Sequence, residues 1–74
     1  MEHDFGWALD KLKCGGRVTR RRWNGIGLWI GLQRPDANSV MTLPYIYMHT
    51  VQGDLVPWLA SQTDMLEVDW HEAP

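Results

Sequence analysis

The stretch RVTRRRWNGIGLWIGL, residues 17–32, decides how this chain folds. RVTR (17–20) and LWIGL (28–32) have the residue types and alternation of strands, and WNGIG lies between them. Asn24-Gly25 suits the left-handed backbone angles of a tight or slightly bulged turn, so the stretch predicts a β-hairpin. Three arginines, Arg20 to Arg22, run straight into Trp23 at the strand end. Were the strand to continue through Arg22, Arg20 and Arg22 would share one face and Arg21 would take the other. Such a stretch suits three roles: gripping phosphates, stacking a base, or a solvated strand entering a turn.

Upstream of the hairpin the period is helical. Phe5, Ala8, Leu9 and Leu12 recur at the spacing of one helix face. Asp4 serves as N-cap, Lys11 and Lys13 suit the negative end of the helix dipole, and Gly15 supplies a stop. Downstream, QRPDANSVMTLP (33–44) has the Pro, Asp, Asn and Ser of a surface loop. YIYMHT (45–50) alternates, with Tyr45, Tyr47 and His49 on one side and Ile46, Met48 and Thr50 on the other. A Gly53-Asp54 turn precedes a short strand, Leu55-Val56, which Pro57 confines to an edge or an end. Ser61 and Asp64 have capping-box spacing ahead of a short second helix, and VDWHE (68–72) reads as a terminal strand. The fold class is α+β: a small, mostly antiparallel sheet with an N-terminal amphipathic helix and a short second helix near the C-terminus.

The chain has 74 residues, enough for one small core, and is read as one domain. A core of this size supplies only about 3–5 kcal/mol, so small folds lean on disulfides, metals, oligomers or dense packing. Cys14 is the only cysteine and has no partner within the chain. His3, His49 and His71 are scattered, without the close spacing of zinc ligands, so no metal or cofactor is expected. Dense packing and self-association remain. Five tryptophans, Trp7, Trp23, Trp29, Trp58 and Trp70, suit both. The formal net charge of −2 argues against a general nucleic-acid binder and leaves room only for a local anion site. The N-terminus lacks the features of a signal peptide and no apolar run approaches a membrane span, so a soluble, cytoplasmic protein is expected.

Catalysis has little support. Cys14 sits at a helix C-terminus, where the dipole disfavours a thiolate. Asp64, Glu67 and Asp69 are explained as a cap and two solvated carboxylates. Binding is better supported, because guanidinium groups offer paired donors to phosphate oxygens and indole offers a stacking face.

FGWALDKLKCGGRV, RRRWNG and VPWLASQTDMLEVDW together resemble the phage Thoeris anti-defense 2 family, from about Phe5 to Trp70. The resemblance implies a non-enzymatic sponge that binds a cyclic ADP-ribose-type signal made by a TIR-domain defence enzyme and withholds it from its effector. It also implies an α+β homotetramer with ligand pockets at subunit contacts. Some family members are associated with cyclic dinucleotides, which leaves that ligand class as the alternative. A structural or nucleic-acid-binding module using residues 20–22 is the alternative of another kind. By position the resemblance places Arg20, Trp23, Asn24 and Gly25 on one pocket wall and adds Ser61, Gln62 and Asp64. For Ser61 and Asp64 the capping role competes. Arg21 and Arg22 stand where the family is expected to have acidic or small residues, and the 33–44 loop is short for it.

Overall fold

The computed structural model describes residues 3–23 and 27–74. The turn expected at Asn24-Gly25 lies outside the described residues. In chain order the elements are α1 (Phe5–Lys13), β1 (Val18–Arg20), β2 (Trp29–Gln33), β3 (Tyr45–His49), β4 (Leu55–Pro57), α2 (Gln62–Leu66) and β5 (Trp70–Glu72). The strands form one sheet in the order β4-β3-β2-β1-β5, with every neighbouring pair antiparallel. This is the α+β arrangement read from the sequence.

Helix α1 begins where Asp4 accepts a hydrogen bond from the Trp7 backbone N–H at 2.9 Å. It ends where Gly15, at φ 89°, lets the chain turn back, and the Gly16 N–H reaches the Lys11 carbonyl at 2.9 Å. Ala8 and Leu12 are buried on its inner face. Lys11 Nζ lies 2.8 Å from Glu72 Oε1 and links α1 to β5 at the surface.

The pairing register fixes which side chains share a sheet face. Val18 pairs with Ile30 and Glu72, Arg20 with Trp70, Ile30 with Met48, and Leu32 with Ile46. Paired residues point the same way, so these side chains share the face that α1 covers. Among the described residues the wholly buried apolar ones are Ala8, Leu12, Val18, Ile30 and Trp70. Phe5, Trp23, Leu32, Ile46, Met48 and Trp58 pack around them, partly buried. Of the tryptophans, only Trp70 is wholly enclosed.

On the opposite face, Trp29 stacks on His49, with ring centres 4.9 Å apart and planes 5° apart. The Arg17 guanidinium lies 4.3 Å from the Trp29 ring centre. Tyr47 meets Trp29 edge-on at 5.9 Å, and Gly31 between them has no room for a side chain: a Cβ there would lie 2.8 Å from the Tyr47 hydroxyl.

Strand β1 ends at Arg20, the last residue of the RVTR strand read from the sequence, and does not run on through Arg22. It ends there because the Trp23 N–H bonds the Arg20 carbonyl at 3.0 Å and closes a turn. Arg21 and Arg22 therefore lie in that turn and do not alternate across a strand. No helix among the described residues is long and apolar enough to cross a membrane.

Candidate functional site

The alternation that buries Val18 also buries Arg20, two residues on. A buried guanidinium requires opposite charge and satisfied donors. Arg20 finds both: its Nη1 donates to Asp64 Oδ1 at 2.8 Å and its Nε donates to Asp69 Oδ1 at 2.9 Å. The three charged residues come from β1, from α2 and from the residue before β5.

Backbone donors complete the cluster. Asp64 Oδ2 accepts the Ser61 N–H at 3.0 Å while Ser61 Oγ accepts the Asp64 N–H at 3.1 Å, which is the full capping box of α2. Asp69 Oδ2 accepts the Arg22 N–H at 3.1 Å, and the Asp69 carbonyl accepts the Arg21 N–H at 3.0 Å. Trp70 Nε1–H donates to the Asp64 carbonyl at 2.9 Å. Two carboxylates facing one guanidinium leave a surplus negative charge, and the Ser61 and Arg22 N–H groups that bond the carboxylate oxygens stabilise it.

The same arrangement sets the acidities. Burial pushes both carboxyls up, but bonds from Ser61 and Arg20 hold Asp64 below its ordinary value, and bonds from Arg20 and the Arg22 N–H do so for Asp69. Burial lowers the Arg20 pKa, and the hydrogen bonds to Asp69 and Asp64 outweigh it and raise it overall.

Each residue expected at the site can now be placed. Arg20 is 6% exposed and its donors are spent on Asp64 and Asp69. Ser61 and Asp64 cap α2, the role that competed with ligand contact. Gln62 is the exposed first residue of that helix. Trp23 is half-buried, meeting Trp70 edge-on at 5.2 Å and Trp58 at 6.1 Å. Asn24 and Gly25 lie outside the described residues. The cluster thus unites Arg20, Ser61 and Asp64 and sets Trp23 at the end of the Arg20 turn.

Two features were not anticipated. Asp69, read as a solvated carboxylate, is a half of the Arg20 clamp and an anchor for the backbone at Arg21 and Arg22. The signal was present: Arg20 is in phase with Val18 and so points into the core, where it needs counter-charge. The second is a cleft of about 700 Å³ at the β3–β4 end, whose lining includes Leu43, Tyr45, Ile46, Val56 and Trp58. Trp58 borders this cleft and also packs against Trp23.

What reaches solvent from this corner is cationic and aromatic. Arg21 and Arg22 are exposed, and neither pairs with a carboxylate among the described residues. Their backbone is fixed by Asp69 while their side chains stay available. An anion with a flat ring fits such a rim. Among the described residues there is no group of three or more His, Cys, Asp or Glu side chains that could hold a metal ion.

The clamp makes acid stability predictable. Both carboxyls have folded pKa values below the ordinary 3.8, so their contribution is complete above that value and is lost as pH falls through the depressed folded values. Denaturant unfolding should give a stability that holds above about pH 5 and declines below about pH 4. Asp69→Asn should cost about 1.5–3 kcal/mol at pH 7, since it weakens the charge-assisted hydrogen bonds from Arg20 and the Arg22 N–H while Asp64 still balances the guanidinium, and should flatten the acid decline. A neutral Asp69→Asn variant would contradict the clamp.

Comparison with known proteins agrees with the resemblance in the sequence. Residues 3–73 match the Thoeris anti-defense 2-like domain. The chain is similar to "Thoeris anti-defense 2" of Bacillus phage SP01, at 33% identity over 79 aligned positions that cover 89% of each protein. Nearly the whole chain is matched, including both halves of the Arg20 clamp, and the chain therefore belongs to the Thoeris anti-defense 2-like family.

Proposed function

We propose that this protein is a phage anti-defense sponge that holds a cyclic ADP-ribose-type immune signal in the host cytoplasm, without chemistry, and so blocks activation of the Thoeris effector. Family membership supports the anti-defense role. The observation that carries the binding reading is the rim at Arg21, Arg22 and Trp23: two exposed guanidinium groups and a half-buried indole on a turn whose backbone is bonded to Asp69. A pyrophosphate-containing ring would place its anionic oxygens at the guanidinium groups and a base against the indole. Trp23 supplies the wall in this reading, while Asn24 and Gly25, expected beside it, lie outside the described residues. Arg20, Ser61 and Asp64 support that wall through their hydrogen-bonded cluster, and Gln62, exposed at the start of α2, is proposed as a further contact.

Sequestration requires affinity and no turnover. Retaining a signal at nanomolar to micromolar levels takes about −8 to −12 kcal/mol. One stacked base and paired charge-assisted bonds approach that range only in an enclosed site, so association of several copies, as a homotetramer, completes the pocket in this reading.

Calorimetric titration with cyclic ADP-ribose isomers tests the proposal, followed by heat denaturation and mass spectrometry of the released ligand. Saturable binding with intact ligand returned is the expected result, whereas cleaved product beyond a protein-free control would make the protein an enzyme. Preferential binding of a cyclic dinucleotide would move the ligand class to that alternative. Arg22→Ala should weaken binding about ten-fold, with stability changed by no more than about 0.5 kcal/mol. Trp23→Ala should lose about 1–3 kcal/mol of binding and about 2 kcal/mol of stability, because its ring is both rim and packing.

A further inference from the structure

We propose that His49 is a positioning residue for the rim: from the sheet face opposite α1 it fixes the exit of the turn that carries Arg21, Arg22 and Trp23, through a hydrogen bond from its Nδ1 to the Gly27 carbonyl. The proposal rests on the rim reading given above and adds to it a residue from a third strand.

The need for an anchor comes from how the hairpin is built. β1 ends at Arg20 and β2 begins at Trp29, so residues 21–28 connect them. Among the described residues the two strands pair in register only at Val18 and Ile30. A two-residue hairpin turn carries the backbone ladder up to its closing pair. Here the ladder stops short of the connection, and side chains hold its ends instead. At the entry, the Asp69 carboxylate and carbonyl accept the Arg22 and Arg21 N–H groups. At the exit, two successive carbonyls meet donors from the neighbouring strands. Thr19 Oγ1 on β1 donates to the Leu28 carbonyl at 2.7 Å, and His49 Nδ1 on β3 lies 2.6 Å from the Gly27 carbonyl. A carbonyl oxygen only accepts, so Nδ1 carries the proton of that bond and the neutral ring keeps its lone pair on Nε2.

The aim of the imidazole is set by what it lies on. His49 pairs with Trp29 across β2 and β3, and its ring lies 5° from parallel to the indole, with ring centres 4.9 Å apart. Turning the imidazole about its bond to Cβ would break that stack, so the stack keeps Nδ1 directed at Gly27. Trp29 is held in turn by the Arg17 guanidinium, 4.3 Å from its ring centre, and by Tyr47, which meets it edge-on. Gly27 has φ 86°, a left-handed backbone that glycine adopts without strain, so the chain changes direction at the anchored residue.

His49 is no part of the buried cluster under α1, and its backbone pairing with Trp29 does not depend on the imidazole. Removing the donor should therefore release the turn and leave the sheet in place. With Asp69 at the entry and His49 at the exit, the rim is presented to a ligand in one arrangement, which lowers the conformational cost of binding.

NMR and calorimetry on the whole chain test the anchor. Nitrogen-15 NMR of the neutral wild-type ring should show His49 Nδ1 protonated, and an Nδ1 without its proton overturns the proposal. His49→Phe keeps a ring for Trp29 and removes the donor. It should speed hydrogen exchange at the Trp23 amide about five-fold in the ligand-free protein, leave the Val18 and Ile30 amides unchanged, and weaken binding of cyclic ADP-ribose about five-fold. His49→Asn, whose carboxamide nitrogen takes the place of Nδ1, should return both values to within about two-fold of wild type. A His49→Phe chain that binds as tightly as a binding-competent wild type, or exchanges as slowly at Trp23, overturns the proposal. Equal losses in His49→Phe and His49→Asn also overturn it, because they assign the effect to ring packing. His49→Leu, which likewise lacks a donor, takes the place of His49→Phe if that chain misfolds. A wild type that binds no cyclic ADP-ribose removes the ligand reading, and the tautomer and the exchange at Trp23 then decide the anchor by themselves.

Discussion

One buried guanidinium organises this protein. Arg20 joins β1 to α2 through Asp64 and to the start of β5 through Asp69, across 44 and 49 residues of chain. A buried ion cluster is a poor source of net stability, since the cost of desolvating the charges offsets most of their attraction. Its effect here is positional. Asp69 can face Arg20 only if β5 pairs with β1 in the observed register, and only then do its carbonyl and carboxylate meet the N–H groups of Arg21 and Arg22. The fold and the exposed rim are thus set by the same bonds.

The local elements were open to reading because their signals are local. Asp4, the Phe5-Ala8-Leu9-Leu12 face and Gly15 define α1 without reference to anything distant. Ser61 and Asp64 likewise announce the capping box of α2, and Pro57 the edge position of β4. What escaped was long-range. The sequence places Asp69 beside Trp70 but does not say that β5 lies next to β1, so a clamp residue passed for a solvated carboxylate. Arg20 was harder still. Its residue type suggested an anion contact, while its phase with Val18 pointed inward, and burial decides between these only once a counter-charge is in view. The strand end at Arg20, where the RVTR reading put it, is fixed by the turn bond from the Trp23 N–H to the Arg20 carbonyl.

A division of labour follows within a run of four residues. Arg20 is structural, Arg21 and Arg22 face solvent, and Trp23 belongs partly to each set, packed on Trp58 and Trp70 yet half-exposed. In the proposed function, a rim already ordered before the ligand arrives loses less conformational freedom on binding. Trp58 is common to the cleft at the β3–β4 end of the sheet and to the aromatic packing at Trp23.

The most direct test follows the indole N–H resonances of the five tryptophans by NMR during titration with a cyclic ADP-ribose isomer. These probes are spread over the molecule: Trp23 at the rim, Trp58 at the cleft, Trp70 in the core, Trp29 on the opposite sheet face and Trp7 on α1. Saturable movement of the Trp23 resonance, with Trp29 and Trp7 unmoved, is the result the account predicts. Movement at Trp29 with none at Trp23 would place the ligand on the opposite face of the sheet and contradict it.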